Sequence, residues 1–396
     1  MIMTIDHISV SPFENYRTLV DQIFGKGTVS QSSSETQSNP ILDALNSLQQ
    51  QVFWDNFHSR LGRLDRIYRN HSPRQKLGQK LGEIQQPNNW DGAYSEIVAL
   101  DFLQQGFLDK SSYLSEPILI DKEVPRAQTF SENVATDGCR TPDGFFPDFG
   151  VYFDVKRIPT RPQIILRDLA ERIRRQFGDT RLFISPEYPI DLGCLEIQLR
   201  VCSIVNEVLE FLRQNNMPKY FRSEHVADLE FRFRWESGVS VTASIYDPYR
   251  LAEELHLLPL QKFGQIVRDY PFLLIYVDFP WFNIGSGMTS GLGDEFYRAF
   301  SRRLFIQYRL SDTKYSTVDE NFSGSETIFE FSKKISGIMF LEDKSILCPE
   351  RDCRNVRAIL FLNPIAEHPL INSIFAREYL QSTLLTPIVD FEYDNY

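Results

Sequence analysis

Residues 152–156 run Tyr-Phe-Asp-Val-Lys. In an extended strand, alternate side chains face opposite ways, so Asp154 and Lys156 share one face while Val151, Phe153 and Val155 share the other. The apolar set can anchor the strand in a core, leaving an acid and a base side by side. An exposed edge strand would account for such a pair. Asp148 adds a second reading, because Gly150 permits a bend that turns its carboxylate back toward Asp154. Two carboxylates and a backbone carbonyl near Val155 suit a hard divalent cation, which fills its remaining positions with water and phosphate oxygens. Lys156 beside them can activate a water if its pKa is depressed, or orient it and stabilise negative charge as an ammonium.

Pro147-Asp148, a short gap, then Asp154-Val155-Lys156 resembles the PD-(D/E)XK nuclease superfamily, which includes many restriction endonucleases and structure-specific DNA nucleases. The resemblance implies a four-stranded mixed core sheet flanked by helices and Mg²⁺-dependent phosphodiester hydrolysis. It also implies an acidic residue on the first core helix, the place that Glu96 fills. The expected metal ligands are therefore Glu96, Asp148 and Asp154, and Lys156 completes the catalytic set. Mg²⁺ is the expected ion, with Mn²⁺ as an alternative. The expected activity is endonucleolytic, on DNA first and RNA second. A nucleic-acid-binding protein that cleaves weakly, or an interaction module with an incidental Asp-x-Lys, are the competing readings. The resemblance covers residues 90–185 and extends toward the strand at 271–279.

Several elements must position these groups. Asp91–Phe107 has a helical period that puts Glu96, Leu100, Leu103 and Phe107 on one face. Residues 116–125 are strand-like, and the DGCRTPDG stretch after them suggests a loop or hairpin. Phe146–Ile158 is a strand pair or one bent strand. Ile164–Phe177 is helical and RLFIS is a short strand. Residues 226–246 alternate around Glu236-Ser237-Gly238 as a hairpin would. Either the 164–177 helix packs beside the site, or 157–250 is an insertion and the helix before Pro271 does so, bringing Gln261 or Lys262 near. Pro271–Trp281, KISGIMFLED and RAILFLNP supply later strands. The fold class is thus α/β, a restriction-endonuclease-like mixed-sheet core flanked by helices. Residues 1–88 form an N-terminal helical region that could contact nucleic acid, 89–290 the catalytic domain with an insertion, and 291–396 a C-terminal α/β extension.

The chain of 396 residues carries a formal charge of −11, at first unfavourable for a polyanionic substrate. Whole-chain charge does not fix the field within a cleft, and a carboxylate cluster with its cation offsets part of it. Basic residues are locally concentrated. Arg60, Arg63, Arg66 and Arg69, then Arg74, Lys76 and Lys80, make a stripe that can follow phosphates or simply be a solvated face. Arg157, Arg161 and Arg172 are candidate phosphate contacts near the motif, with Arg157 adjacent to Lys156. A third cluster, Lys219, Arg222, Arg232 and Arg234, surrounds the expected hairpin.

The glycines at 285, 287, 291 and 293 lack the Lys-Ser/Thr of a nucleotide loop, and the histidines lack metal-ligand spacing. Five cysteines are too few for a disulfide scaffold and suit thiols in a reducing cytoplasm. With 42% hydrophobic residues, including 31 Phe and 17 Tyr, the chain can build a large core. No apolar run is long enough to span a bilayer and MIMTIDHISVSPFENY lacks a leader pattern, so no membrane contact is expected. A homodimer or a protein partner is left open.

Overall fold

The computed structural model describes residues 12–29, 39–46, 51–86, 89–108, 115–125, 128–129, 139–157, 162–179, 181–188, 197, 200–235, 248–278, 293–318, 325–343, 345, 356–370 and 386–388. Helices come first: α1 (Pro12–Phe24), α2 (Pro40–Asn46), α3 (Gln51–Tyr68), α4 (Arg74–Glu83) and α5 (Trp90–Leu108). The strands β1 (Leu119–Ile120), β2 (Val124–Pro125), β3 (Cys139–Arg140), β4 (Gly144–Phe146) and β5 (Val151–Arg157) follow. Then come α6 (Pro162–Phe177), β6 (Leu182–Glu187), α7 (Val201–Gln214), β7 (Tyr220–Arg222) and β8 (Glu230–Trp235). Next are α8 (Pro248–Leu255), a 3₁₀ helix (Leu258–Gln265), β9 (Phe272–Asp278), α9 (Asp294–Arg302) and α10 (Ile328–Ser332). Finally β10 (Gly337–Asp343), β11 (Val356–Leu362) and β12 (Thr386–Ile388) complete the order.

The main sheet runs β1-β4-β5-β9-β10-β11-β12. It is mixed: β4 is antiparallel to β1 and β5, β5-β9-β10 are parallel, and β11 is antiparallel to β10. Every residue of β9 and β10 is buried, as expected of central parallel strands covered on both faces. One face, with Val151, Phe153, Val155, Leu273, Ile275, Met339 and Leu341, packs against α1–α5. The other, with Tyr152, Leu274, Tyr276, Ile338 and Phe340, is covered by α8, the 3₁₀ helix, α9 and α10.

The helical N-terminal region therefore shares a core with the sheet. Phe53, Phe57, Leu61, Leu64 and Tyr68 of α3 and Leu77 and Leu81 of α4 belong to it. The strands of the C-terminal region extend the same sheet. Helix α5 is buried over most of its circumference, between sheet and outer helices. The segment between β5 and β9 carries a satellite, the three-stranded sheet β6-β8-β7 with its own core against α6 and α7. Helix α6 packs in the core of this satellite. Strand β8 pairs with β6 and β7. The expected turn at Glu236-Ser237-Gly238 lies outside the described residues, as does the 285–291 glycine loop.

Among the described residues no helix is long and apolar enough to cross a membrane.

Candidate metal centre

The centre forms where the short strand β4 begins. Its ladder with β5 starts at Gly144↔Phe153, so Asp143 comes opposite Asp154 and the main-chain pairing has ended beyond it. The Val155 N–H donates to Asp143 Oδ2 instead, at 2.7 Å. A buried strand amide needs an acceptor, and this requirement fixes the Asp143 carboxylate against β5. Gly144 has no side chain for a related reason. A Cβ there would meet Phe153 Cζ at 2.0 Å, because the ring lies across the strand at that point.

Asp121 follows β1, which pairs with β4 through Ile120↔Gly144. Its N–H donates to the Asp143 carbonyl at 3.1 Å, and its φ of 47° is in the left-handed region that Asp tolerates. Lys76 Nζ donates to the Asp121 carbonyl. Helix α5 brings in Glu96. Glu96, Asp121 and Asp143 each offer an oxygen within 4.8 Å of the others, a candidate metal-coordinating cluster. Asp154 stands opposite Asp143 across the β4–β5 register, near enough that its negative charge helps to raise the Asp143 carboxyl.

Two ammonium groups enter the same space. Lys156 Nζ lies 2.5 Å from Asp154 Oδ2 and donates to Gln265 Oε1 at 3.3 Å. Lys80 Nζ, from α4, lies 2.8 Å from Glu96 Oε2 and 3.3 Å from Asp121 Oδ1. Four carboxylates thus face two ammoniums, leaving a formal excess of two negative charges. Burial, then the Asp154 and Glu96 carboxylates, hold the Asp143 carboxyl well above the usual range. Burial pushes Glu96 up to about 7 despite the pull of Lys80. Burial alone would lower Lys156, but Asp154, Asp143 and Glu96 more than offset it and raise its pKa. A divalent ion fits this donor set: it takes hard oxygen ligands and supplies the missing charge. Asp154 Oδ1 points the same way, as it is buried with no hydrogen-bond partner.

The structure pairs Lys156 with Asp154, groups Glu96 with Asp121 and Asp143, and places Asp148 elsewhere. Pro147-Asp148-Phe149-Gly150 is the turn between β4 and β5, with Gly150 at φ 62°. Asp148 accepts the N–H groups of Ser115 (2.7 Å) and Glu116 (3.2 Å) and the Ser115 hydroxyl. The bend at Gly150 is spent on closing the hairpin, so Asp148 ties down the 115–116 segment and Asp143 takes the place in the cluster. The sequence reading missed Asp143 although Pro142-Asp143 carries the same dipeptide. Pro-Asp-Phe-Gly is itself a turn signature and was the signal that could have separated the two. Asp121, Lys80 and Gln265 had no comparable signal.

The basic residues are mostly committed. Arg157 Nη1 lies 2.6 Å from Asp91 at the start of α5. Arg172 lies on α6 in the satellite; Arg161, and the side chains of Gln261 and Lys262, lie outside the described residues. The arginine stripe on α3 is partly committed to acidic partners, with Arg60 buried and Arg69 largely exposed. Arg60 is buried and bonds Asp101, Tyr94, Asp343 and Ser345, while Arg63 grips Asp101 in two places. Arg69 and Arg74 pair with Asp65.

No family model, curated protein or solved structure matches the chain.

Proposed function

We propose that the protein is a metal-dependent phosphodiesterase, an endonuclease acting on DNA through a PD-(D/E)XK-type site. The observation that carries this reading is Asp143, clustered with Glu96 and Asp121, lying opposite Asp154 across β4 and β5, with Lys156 on the Asp154 carboxylate. With Pro142-Asp143 in place of Pro147-Asp148, the Pro-Asp and Asp-x-Lys halves of the pattern are separated by a full hairpin. Four adjacent strands, β1-β4-β5-β9, supply the mixed core sheet that the resemblance calls for, and α5 precedes them with its acidic residue. Both features support the reading.

Asp143, Asp154, Glu96 and Asp121 would hold Mg²⁺ or Mn²⁺. When bound, the ion would lower the pKa of a water and offset charge on the scissile phosphate. Lys156 acts in its ammonium form, as its raised pKa requires. Gln265 Oε1 and Asp154 fix its direction, so it orients the attacking water and steadies the charge gathering on phosphate oxygens. Arg157 leaves β5 one residue later and would contact a neighbouring phosphate by exchanging Asp91 for it.

Cleavage of duplex, single-stranded and branched DNA and of RNA should be compared after chelation and on restoring Mg²⁺. We expect divalent-dependent cleavage of DNA that falls at least about 100-fold in Asp154→Ala, while DNA binding is partly kept. Equal cleavage by both proteins, or none of any substrate, would overturn the assignment.

A further inference from the structure

We infer that Lys80 is an internal cation that holds the carboxylate cluster together before a divalent ion arrives and is displaced when the ion binds. The inference rests on the metal-site reading and adds to it a control over affinity. Its basis is position. Lys80 Nζ is 2.8 Å from Glu96 and 3.3 Å from Asp121, two of the three residues that also lie within 4.8 Å of one another with Asp143. An ammonium among carboxylate oxygens sits where a hard cation would take the same atoms. Both cannot hold Glu96 and Asp121 at full strength, since cations brought together in a buried space repel. Opposite Asp143 is a further carboxylate oxygen that Lys80 does not serve. Asp154 Oδ1 is buried and unpartnered, on a residue 2% exposed, so an entering ion has a ligand before Lys80 yields.

The backbone allows the exchange. Lys80 lies on α4, whose register is held one turn earlier by Lys76 Nζ on the Asp121 carbonyl and by Leu77 and Leu81 in the core. Displacement therefore needs only rotation of a long flexible side chain, with the helix staying in place. Lys156 is different: Asp154 and Gln265 hold it from two sides, and it is the ammonium that stays. The exchange makes metal affinity weaker than the carboxylates alone would give, and it frees Lys80 in the loaded state.

Manganese binding should be measured by electron paramagnetic resonance for the wild type, Lys80→Met and Asp143→Asn. We expect Lys80→Met to bind Mn²⁺ roughly tenfold more tightly than the wild type, and Asp143→Asn to lose most binding. Unchanged or weaker binding in Lys80→Met, with Asp143→Asn still impaired, would overturn the displacement while leaving the metal site intact. No Mn²⁺ binding by wild type, or binding indifferent to Asp143, would overturn the metal site itself. A measurement on the unmodified chain guards against misfolding of the variant. Amine-directed labelling read by mass spectrometry should modify Lys80 faster with Mn²⁺ than with chelator. Equal or slower labelling would overturn the inference.

Discussion

At the scale of single residues, the centre depends on Asp143 being held from two sides. Its carboxylate accepts the Val155 N–H and its carbonyl accepts the Asp121 N–H, so side chain and main chain are both constrained. Glu96 gives this centre an unusual pH response. Its pKa in the folded chain, about 7, lies above the ordinary 4.5. A raised value means that the protonated form favours folding. The stabilisation is complete below the unfolded value and is lost as pH rises through the folded one. In chelator, the melting temperature of the wild type relative to Glu96→Gln should therefore rise by about 3 °C between about pH 8 and about pH 5. Scanning calorimetry checks this, and a difference that is flat or falls toward acid would contradict it. Metal binding should weaken over the same interval, because the ligands must lose their protons.

At the scale of elements, β4 sets the site by being short. Three residues are too few for a period-of-two signal, and DGCRTPDG looks like a loop in the sequence. That is why β5, with seven residues and a clean alternation, was legible together with Asp154 and Lys156, whereas Asp143 was not. Glu96 was legible through the long period of α5. Asp121 and Lys80 depend on chain segments meeting through tertiary packing, which no local pattern encodes. The fit of β4 to β5 makes Gly144 a sensitive position. Gly144→Ala should destabilise the chain by about 1–3 kcal/mol through its overlap with the Phe153 ring. A shorter side chain at 153, in Gly144→Ala/Phe153→Leu, should recover part of that loss in denaturant unfolding. If both proteins melt like the wild type, the close packing of β4 on β5 is wrong.

At the scale of the whole molecule, helices and sheet are joined by apolar packing and by buried polar networks, among them the one around Arg60. Arg60 of α3 reaches Tyr94 and Asp101 of α5 and Asp343 of β10, and Tyr94 also donates to Asp343 at 2.6 Å. A basic stripe in sequence had suggested contact with nucleic acid. Burial converts its first member into a tie between layers, and a period of three residues cannot distinguish those uses. Removing one partner of such a network strands the others, so Arg60→Ala should cost about 3–5 kcal/mol. The midpoint of chemical unfolding measures this, and a loss below about 1 kcal/mol would argue against the network. Deleting residues 1–88 removes α1–α4 from a core that they share with the sheet. The truncated chain should lose cooperative thermal unfolding by circular dichroism, instead of leaving an independent catalytic domain.

The sharpest measurement sets Asp143→Asn beside Asp148→Asn in a Mg²⁺-dependent DNA cleavage assay with purified, folded proteins. The carboxylate in the cluster should be indispensable, with cleavage by Asp143→Asn reduced at least about 100-fold. The turn carboxylate should be dispensable, so Asp148→Asn should cut at close to the wild-type rate. Loss of cleavage in Asp148→Asn with activity retained in Asp143→Asn would contradict the assignment of the centre.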